Sequence, residues 1–287
     1  MAWSAPRELL PATGPLAELD AGGAWSPCLL DADDGTARLW YAGSDGSTTR
    51  ILAAQVERDG TCRRTGVAID IGFAGGSDVF GVDAPCVVRT PAGFLMAYGG
   101  SDGPDTRLHV ATSRDGEFWE PHGTVMQRGD EDAIGATHPS LLITNRWWLY
   151  YAGYDGSSNG RHAAILAAVS DTGASWDRLG AVLVPEAGEV AVTEPSVLDV
   201  HGAFHMFYVS DDDQRTVIAV ATSDDGVQWS RRGTTIEPHA ASASGPRSPY
   251  VSRGRHGHLR LLYAAPRTVA VGSPDRLWAV EGERVSA

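Results

Sequence analysis

Short apolar runs alternate with turn residues along the whole chain. The runs are four to eight residues long and rich in Val, Ile, Leu, Tyr and Trp, and Gly, Asp and Asn separate them. Runs of this length and composition are typical of β-strands. No stretch of ten or more residues has an apolar period of 3.6, so helices are expected to be few. The pattern predicts an all-β protein built from many short strands.

The runs recur in five similar segments. Each segment opens with an X-Pro pair and an apolar run, continues through a turn, and reaches an aromatic-rich run that contains a tyrosine 12 to 14 residues after the proline. The prolines stand at positions 27, 85, 139, 195 and 249, and the tyrosines at 41, 98, 151, 208 and 263. The segments are SPCLLDADDGTARLWYAGSDG, APCVVRTPAGFLMAYGGSDG, HPSLLITNRWWLYYAGYDG, EPSVLDVHGAFHMFYVSDD and SPYVSRGRHGHLRLLYAAP.

Two further strands are expected in each unit. RLHVATS at Arg107–Ser113 and VIAVATS at Val217–Ser223 are examples of the third, and residues 120–126 and 177–183 would supply the fourth. About 55 residues with four strands, repeated five times, is typical of a β-propeller. We therefore expect one five-bladed β-propeller domain over residues 1–287, with four antiparallel strands per blade around a central channel. The blades would start near residues 25, 83, 137, 193 and 247, and a strand from one terminus would complete the blade at the other.

Charge excludes several functions. The chain has 287 residues and a net charge of −13, and all 23 of its basic residues are arginine. Without lysine there is no Schiff-base chemistry, no lysine anchor for pyridoxal phosphate and no phosphate-binding GxxxxGK[ST] loop. An acidic chain is also a poor partner for nucleic acid or an anionic membrane.

No metal site or cofactor is predicted. Cys28, Cys62 and Cys86 have neither CxxC nor Cys/His spacing, so they are expected to be buried small side chains. No apolar run has the length of a signal peptide or a membrane span. A cytoplasmic location is the resulting expectation.

The starts of the inner strands are the expected place for chemistry, because in a propeller they surround one mouth of the channel. Ser or Ala occupies the X position in three units, whereas His138 and Glu194 occupy it in the other two. Asp83 lies one residue before X in the second unit. We predict Glu194 as a general acid and Asp83 or His138 as its base. The alternatives are a solvated strand-end charge for Glu194 and structural hydrogen bonding for the other two.

Substrate contacts are predicted around the same mouth. Arg247 would either pair with Glu194 or Asp83, or bind an anionic group of the substrate. The aromatic side chains would stack on a sugar ring or pack between blades. The predicted binding residues are Trp25, Ser26, Phe80, Thr137, Thr193 and Arg247.

The repeat, with its YxGxDG and SxDGxxW turns, resembles the clan of five-bladed glycosidases that includes arabinanases, xylosidases, invertases, levansucrases and the related mannoside phosphorylases. This resemblance implies acidic residues at the inner-strand starts of blades one, three and four, acting as base or nucleophile, as pKa modulator and as general acid. Glu194, in TEPSVL, matches the third of these positions. Ser26 and His138 occupy the other two, so two of the three carboxylates are missing.

Three functions remain open from the sequence. The first is a glycosidase-like enzyme acting on a small soluble glycoside or sugar-containing metabolite. The second is a retooled enzyme that performs elimination, cyclisation or transglycosylation, for which His138 is suited because imidazole titrates near neutral pH. The third is an inactive propeller that binds a sugar. The expected partner in every case is a small-molecule carbohydrate or glycosylated metabolite.

Overall fold

Strands make up nearly all the regular structure of the computed structural model, which describes residues 2–238, 245–254, 257–267 and 273–284. In that part of the chain the one α-helix is the single turn α1 (Ser157–Gly160), so the all-β prediction is confirmed. No helix there has the length and apolar character needed to cross a membrane. The strands are β1 (Arg7–Glu8), β2 (Gly23–Asp31), β3 (Ala37–Ser44), β4 (Thr49–Val56), β5 (Cys62–Ile69), β6 (Gly81–Thr90), β7 (Gly93–Ser101), β8 (Thr106–Ser113), β9 (Glu120–Thr124), β10 (Gly135–Ile143), β11 (Trp147–Tyr154), β12 (Ala163–Ser170), β13 (Asp177–Leu183), β14 (Ala191–Val200), β15 (Ala203–Asp211), β16 (Thr216–Ser223), β17 (Ser230–Ile236), β18 (Arg247–Arg253), β19 (His258–Pro266) and β20 (Asp275–Arg284).

The strands pair antiparallel in successive groups. Strands β2 to β5 form group 1, β6 to β9 group 2, β10 to β13 group 3 and β14 to β17 group 4. Group 5 consists of β18, β19 and β20, with the N-terminal strand β1 paired to β20 as its outer strand. The N-terminal strand β1 is thus paired with β20, the last strand of the described chain. The expected third and fourth strands are also present, as β8 and β16 and as β9 and β13.

The first strand of every group is bulged at the X-Pro pair. The residue at X has a left-handed backbone, with φ between 47° and 55°, and the pairing register shifts at this point in all five strands. This conformation costs a non-glycine residue on the order of 1 kcal/mol or more, and such bulges re-aim side chains next to functional sites. The five residues are Ser26, Ala84, His138, Glu194 and Ser248.

Hydrogen bonds link each first strand to that of the next group. The side chain after the proline accepts a backbone N–H from the next first strand, with a Cys or Ser as acceptor. The tyrosine at that position in group 5 instead donates to a carbonyl of group 1. The bonds are Val87 N to Cys28 Sγ at 3.2 Å, Leu141 N to Cys86 Sγ at 3.2 Å, Val197 N to Ser140 Oγ at 3.0 Å, Val251 N to Ser196 Oγ at 2.9 Å and Tyr250 Oη to Leu29 O at 2.8 Å. All three cysteines are buried and unbridged, as expected.

In groups 1, 3 and 4 the hydroxyl of the repeated tyrosine bonds to an ion pair that holds the segment entering the group. In group 1 the Tyr41 hydroxyl donates to Asp20 Oδ2 at 2.8 Å, and Arg64 from β5 holds both oxygens of the same carboxylate at 2.8 Å. In group 3 the Tyr151 hydroxyl donates to Asp132, which pairs with Arg178. In group 4 Arg231 pairs with Glu189 and donates to the Tyr208 hydroxyl, so there the arginine links the tyrosine to the acid. These ion pairs fix the loops that lead into the inner strands.

Candidate active site

Glu194 and His138 lie together where two bulged strands begin. The Oε1 atom of Glu194 is 3.8 Å from Nε2 of His138, and both side chains are about one-sixth exposed. The Oε2 atom of Glu194 accepts the backbone N–H of Ser248 at 2.5 Å. The Glu194 carboxylate is thus hydrogen-bonded to the first strand of group 5 on one side and faces the His138 imidazole on the other. A mostly buried carboxyl group beside an imidazole is an arrangement that can take part in acid–base catalysis.

Asp83 interacts electrostatically with both Glu194 and His138. Its pKa is raised, chiefly because burial removes water from the carboxylate and also because the charge of Glu194 disfavours ionisation. His138 and a hydrogen bond from Thr137 Oγ1, at 3.5 Å, act in the opposite direction. A Cβ atom at Gly99 would lie 2.4 Å from the Asp83 carboxylate, so glycine leaves the space that this side chain occupies. Glu194 and His138 therefore lie in direct proximity, and Asp83 interacts with both through their charges and is bonded to Thr137, the chain neighbour of His138.

Tyr154 and Asp211 belong to the same cluster, and sequence analysis missed both. Burial raises the pKa of Tyr154, and the charges of Glu194, Asp83 and Asp211 raise it further. The pKa of Asp211 is also raised, first by burial and in part by Glu194, although Arg161 opposes this. A signal was present, because three residues after the repeated tyrosine the first two units have serine, whereas the third and fourth have Tyr154 and Asp211.

The predicted binding residues divide into two sets. Ser26 and Thr193 are buried, and the Ser26 hydroxyl donates to Ser248 Oγ at 3.3 Å. Thr137 is also buried, and its hydroxyl donates the hydrogen bond to Asp83 that is described above. Phe80 is different, because 69% of it is exposed and its ring lies beside the turn at Gly103. Phe80 is therefore a largely exposed aromatic residue directly before β6.

Arg247 has partners that sequence analysis did not anticipate. Its guanidinium lies over the ring of Trp25, 5.9 Å from the centroid, and forms an ion pair with the buried carboxylate of Asp275. The contacts that the structure gives it are therefore neither with Glu194 nor with Asp83. Trp25 in turn is half-buried and packs on the core of groups 1 and 5. Arg247 and Trp25 form one cation–π unit at the edge of the site.

A serine–histidine–aspartate arrangement in group 2 is part of the scaffold. Ser77 Oγ lies 3.2 Å from Nε2 of His109, and Asp78 Oδ2 lies 3.9 Å from Nδ1. Asp78 precedes Ala84 by six residues, as Asp20 precedes the X residue of group 1, so it is the group 2 counterpart of the anchoring acids. Only 2% of the His109 side chain is exposed, and burial lowers its pKa. This histidine replaces the anchoring arginine and is closed to substrate.

No cluster of three or more His, Cys, Asp or Glu side chains suited to a metal ion occurs within the described ranges.

Replacing Asp83 by Asn should raise the melting temperature at neutral pH. The raised pKa means that the folded protein binds this proton more tightly than the unfolded chain, so ionised Asp83 destabilises the fold. That cost is absent below the unfolded pKa of about 3.9, and the difference between variant and wild type should vanish there. Calorimetric melting between pH 3 and 8 measures it.

Asp115→Asn is the matched control for this measurement. Backbone N–H groups of Glu117 and Phe118 lower the pKa of Asp115, so its ionised form stabilises the folded state. The Asn variant should therefore melt lower than wild type at neutral pH, opposite in sign to the Asp83 variant. A lower or unchanged melting temperature for Asp83→Asn would show that Asp83 is not desolvated.

Comparison with known proteins identifies solved structures with a similar fold. No protein-family model matches the sequence, and no curated protein matches it. Among solved structures, a thermostable family-43 glycoside hydrolase is 16% identical with a TM-score of 0.74, over 90% of this chain and 88% of that one. The α-L-arabinofuranosidase from Lactobacillus brevis is 14% identical with a TM-score of 0.70, over 92% of each chain.

A third similar structure comes from the GH130 family of mannoside phosphorylases, described as containing glycoside hydrolases that target β-1,2-mannosidic linkages in Candida mannan. It is 14% identical, with a TM-score of 0.71, over 94% of this chain and 87% of that one. The all-β, propeller-like fold is therefore the fold of these glycoside hydrolases and phosphorylases, and the resemblance predicted from the repeat is confirmed.

Proposed function

We propose that the five groups are the blades of one five-bladed β-propeller spanning residues 1–287. The hydrogen bonds between first strands support this, because they run from group 1 through to group 5 and return from Tyr250 to Leu29. The pairing of β1 with β20 supports it as well, since it joins the two ends of the chain within group 5. The first strands would then surround the channel, with the X residues around it.

We further propose that the protein is a glycosidase-like enzyme that acts on a small glycoside or sugar-containing metabolite. One observation carries this proposal: Glu194 lies 3.8 Å from His138 at the aligned X positions of a fold shared with glycoside hydrolases. These are the two X residues that depart from the small side chains of the other units. Glycoside hydrolysis commonly uses a pair of carboxyl groups that flank the bond, and Asp83 would be the second carboxyl group beside Glu194.

In the proposed reaction Glu194 donates its proton to the glycosidic oxygen while the bond from that oxygen to the anomeric carbon breaks. Water forms the new bond to the anomeric carbon and loses a proton to Asp83 or His138. The raised pKa of Asp83 makes its ionised form a stronger base than an ordinary carboxylate. Proton transfers of this kind contribute about 10²- to 10⁴-fold to a rate.

A second candidate is a propeller that binds a sugar without cleaving it. The contact of Ser26 favours it, because the hydroxyl at the position where the resembled family has an acidic residue is bonded to Ser248. A carboxylate base is therefore absent at that position. This protein would bind a sugar saturably, and Glu194→Gln would retain its affinity.

Mass spectrometry of products distinguishes the candidates. The protein is incubated with a panel of nitrophenyl glycosides in ¹⁸O-labelled water. Hydrolysis places one ¹⁸O atom in each product pair, whereas elimination, cyclisation or transglycosylation yields products that have not gained water. Binding in calorimetry without any product after days would replace the enzyme proposal by the sugar-binding one.

A further inference from the structure

A central cavity of about 320 Å³ begins at the ring of X residues and continues along the first strands away from it. All five X residues, Ser26, Ala84, His138, Glu194 and Ser248, line it, and so do residues up to four places after the prolines. Its volume lies in the range of small-molecule sites and has room for about ten groups the size of a water molecule. It is therefore large enough for part of a substrate.

The two ends of this cavity differ in chemistry. Next to Glu194 and His138 the lining is polar, and Nδ1 of His138 is buried with no hydrogen-bond partner in the described part of the chain. Further along, most of the side chains of the wall are apolar. Residues that form this apolar part are Leu30, Val88, Leu142, Ile143, Val197 and Leu198.

The polar side chains of the wall have hydrogen-bond partners within the protein. The hydroxyls of Ser140 and Ser196 accept backbone N–H groups of the neighbouring first strands. Arg89, at the end far from Glu194, donates to the carbonyl of Asp31 and lies over the ring of Phe94. Water in this part of the cavity would find few hydrogen-bond partners, so an apolar group that displaces it gains free energy.

We infer that this cavity is the binding site for an apolar aglycone, with the glycosidic oxygen at Glu194 and the hydrocarbon along the apolar wall. The inference rests on the proposed glycosidase function and narrows its substrate to glycosides of alkyl or compact hydrocarbon alcohols. The proton donor at the polar end matches the glycosidic oxygen of such a substrate, and the apolar wall beyond it matches the hydrocarbon of the aglycone. Cleavage would leave the alcohol in the cavity as the leaving group.

Binding of straight-chain alcohols tests the cavity without any turnover. Affinity of the intact protein for 1-butanol, 1-hexanol and 1-octanol is measured by calorimetry. Burial of each additional methylene should strengthen binding about fourfold, so octanol should bind on the order of 10²-fold more tightly than butanol. Affinity that does not change with chain length would overturn the inference.

Variants that fill the cavity locate the site. Val88→Phe and Leu142→Phe each place a larger side chain in the apolar wall and should weaken octanol binding at least tenfold. Val227→Phe is the matched control, because Val227 lies on the turn that follows Asp225, is 37% exposed and does not line the cavity. Two cavity variants are used so that one remains if the other fails to fold, as judged by its melting curve. Unchanged octanol affinity in a folded cavity variant would contradict the inference.

The same series as alkyl glycosides separates this inference from the proposed function. If glycosides are hydrolysed and KM falls with alkyl length, the result supports both the glycosidase function and the apolar aglycone site. Hydrolysis with a KM independent of alkyl length would retain the enzyme and overturn the apolar aglycone site. Alcohol binding without hydrolysis of any glycoside would retain the apolar site and overturn the glycosidase.

Discussion

Glu194→Gln should lower kcat for a glycoside with a poor leaving group by about 10²-fold or more, because the amide has no acidic proton to give to the glycosidic oxygen. The substitution preserves the volume of the side chain, and the amide oxygen can still accept the Ser248 N–H that the carboxylate accepts. The loss should therefore appear in kcat with little change in melting temperature. Initial rates on nitrophenyl and alkyl glycosides of the same sugar measure it.

The dependence on the leaving group makes this prediction specific to an acid. A dinitrophenolate departs without protonation, so the Gln variant should lose much less activity on dinitrophenyl than on alkyl glycosides. Glu120→Gln, in the exposed strand β9, is the control and should retain the wild-type rate. Equal rates for Glu194→Gln and wild type on the alkyl substrate would remove Glu194 from the mechanism.

Arg64→Ala should cost about 3–5 kcal/mol in the free energy of unfolding, the largest stability effect that we expect. Arg64 and Asp20 are 4% and 2% exposed, and the guanidinium holds both carboxylate oxygens at 2.8 Å. Removing the arginine leaves a buried carboxylate whose remaining side-chain partner is the Tyr41 hydroxyl. Urea unfolding, with the midpoint and slope fitted together, measures the loss.

Arg38→Ala is the control for this substitution. Arg38 pairs with Glu117 at 3.0 Å, but the two side chains are 28% and 63% exposed. Water screens such a pair, so the expected loss is at most about 1 kcal/mol. Similar losses for the two arginines would mean that the Arg64–Asp20 pair is not the buried anchor of group 1.

Sequence periodicity was sufficient to predict the strands and the repeat. In a strand, successive side chains point to opposite faces of the sheet, so the pattern of apolar and polar residues indicates which side chains are buried. The X-Pro pairs located all five bulged strands, although the left-handed backbone at X was not foreseen. Proline fixes its own backbone angle and usually excludes the helical region for the residue before it. The left-handed backbone at X therefore does not follow from the local sequence alone.

The anchoring acids could have been found from the sequence. Asp20, Asp78 and Asp132 each precede the X residue of their unit by six positions, and Glu189 does so by five. Their partners were harder to identify, since Arg64, Arg178 and Arg231 come from the outermost strands of their groups. Which arginine reaches which acid depends on strand register.

The candidate site was predicted in part. Glu194, Asp83 and His138 were recognised because they depart from the repeat, and Tyr154 and Asp211 depart from it in the same way at the end of the second strand. Arg247 could not be assigned, because its partner Asp275 comes from β20, the last strand of the chain. Departures from the repeat thus identified the residues of the candidate site better than sequence proximity did.

A crystal structure with a bound, slowly cleaved alkyl glycoside tests the central claim most directly. The account predicts that the glycosidic oxygen lies within hydrogen-bond distance of Glu194, and that the carboxyl groups of Glu194 and Asp83 are about 5–9.5 Å apart across the bond. It also predicts that the alkyl chain lies along the wall of Leu142 and Leu198. A sugar bound away from Glu194, or a separation of the two carboxyl groups outside this range, would contradict the account.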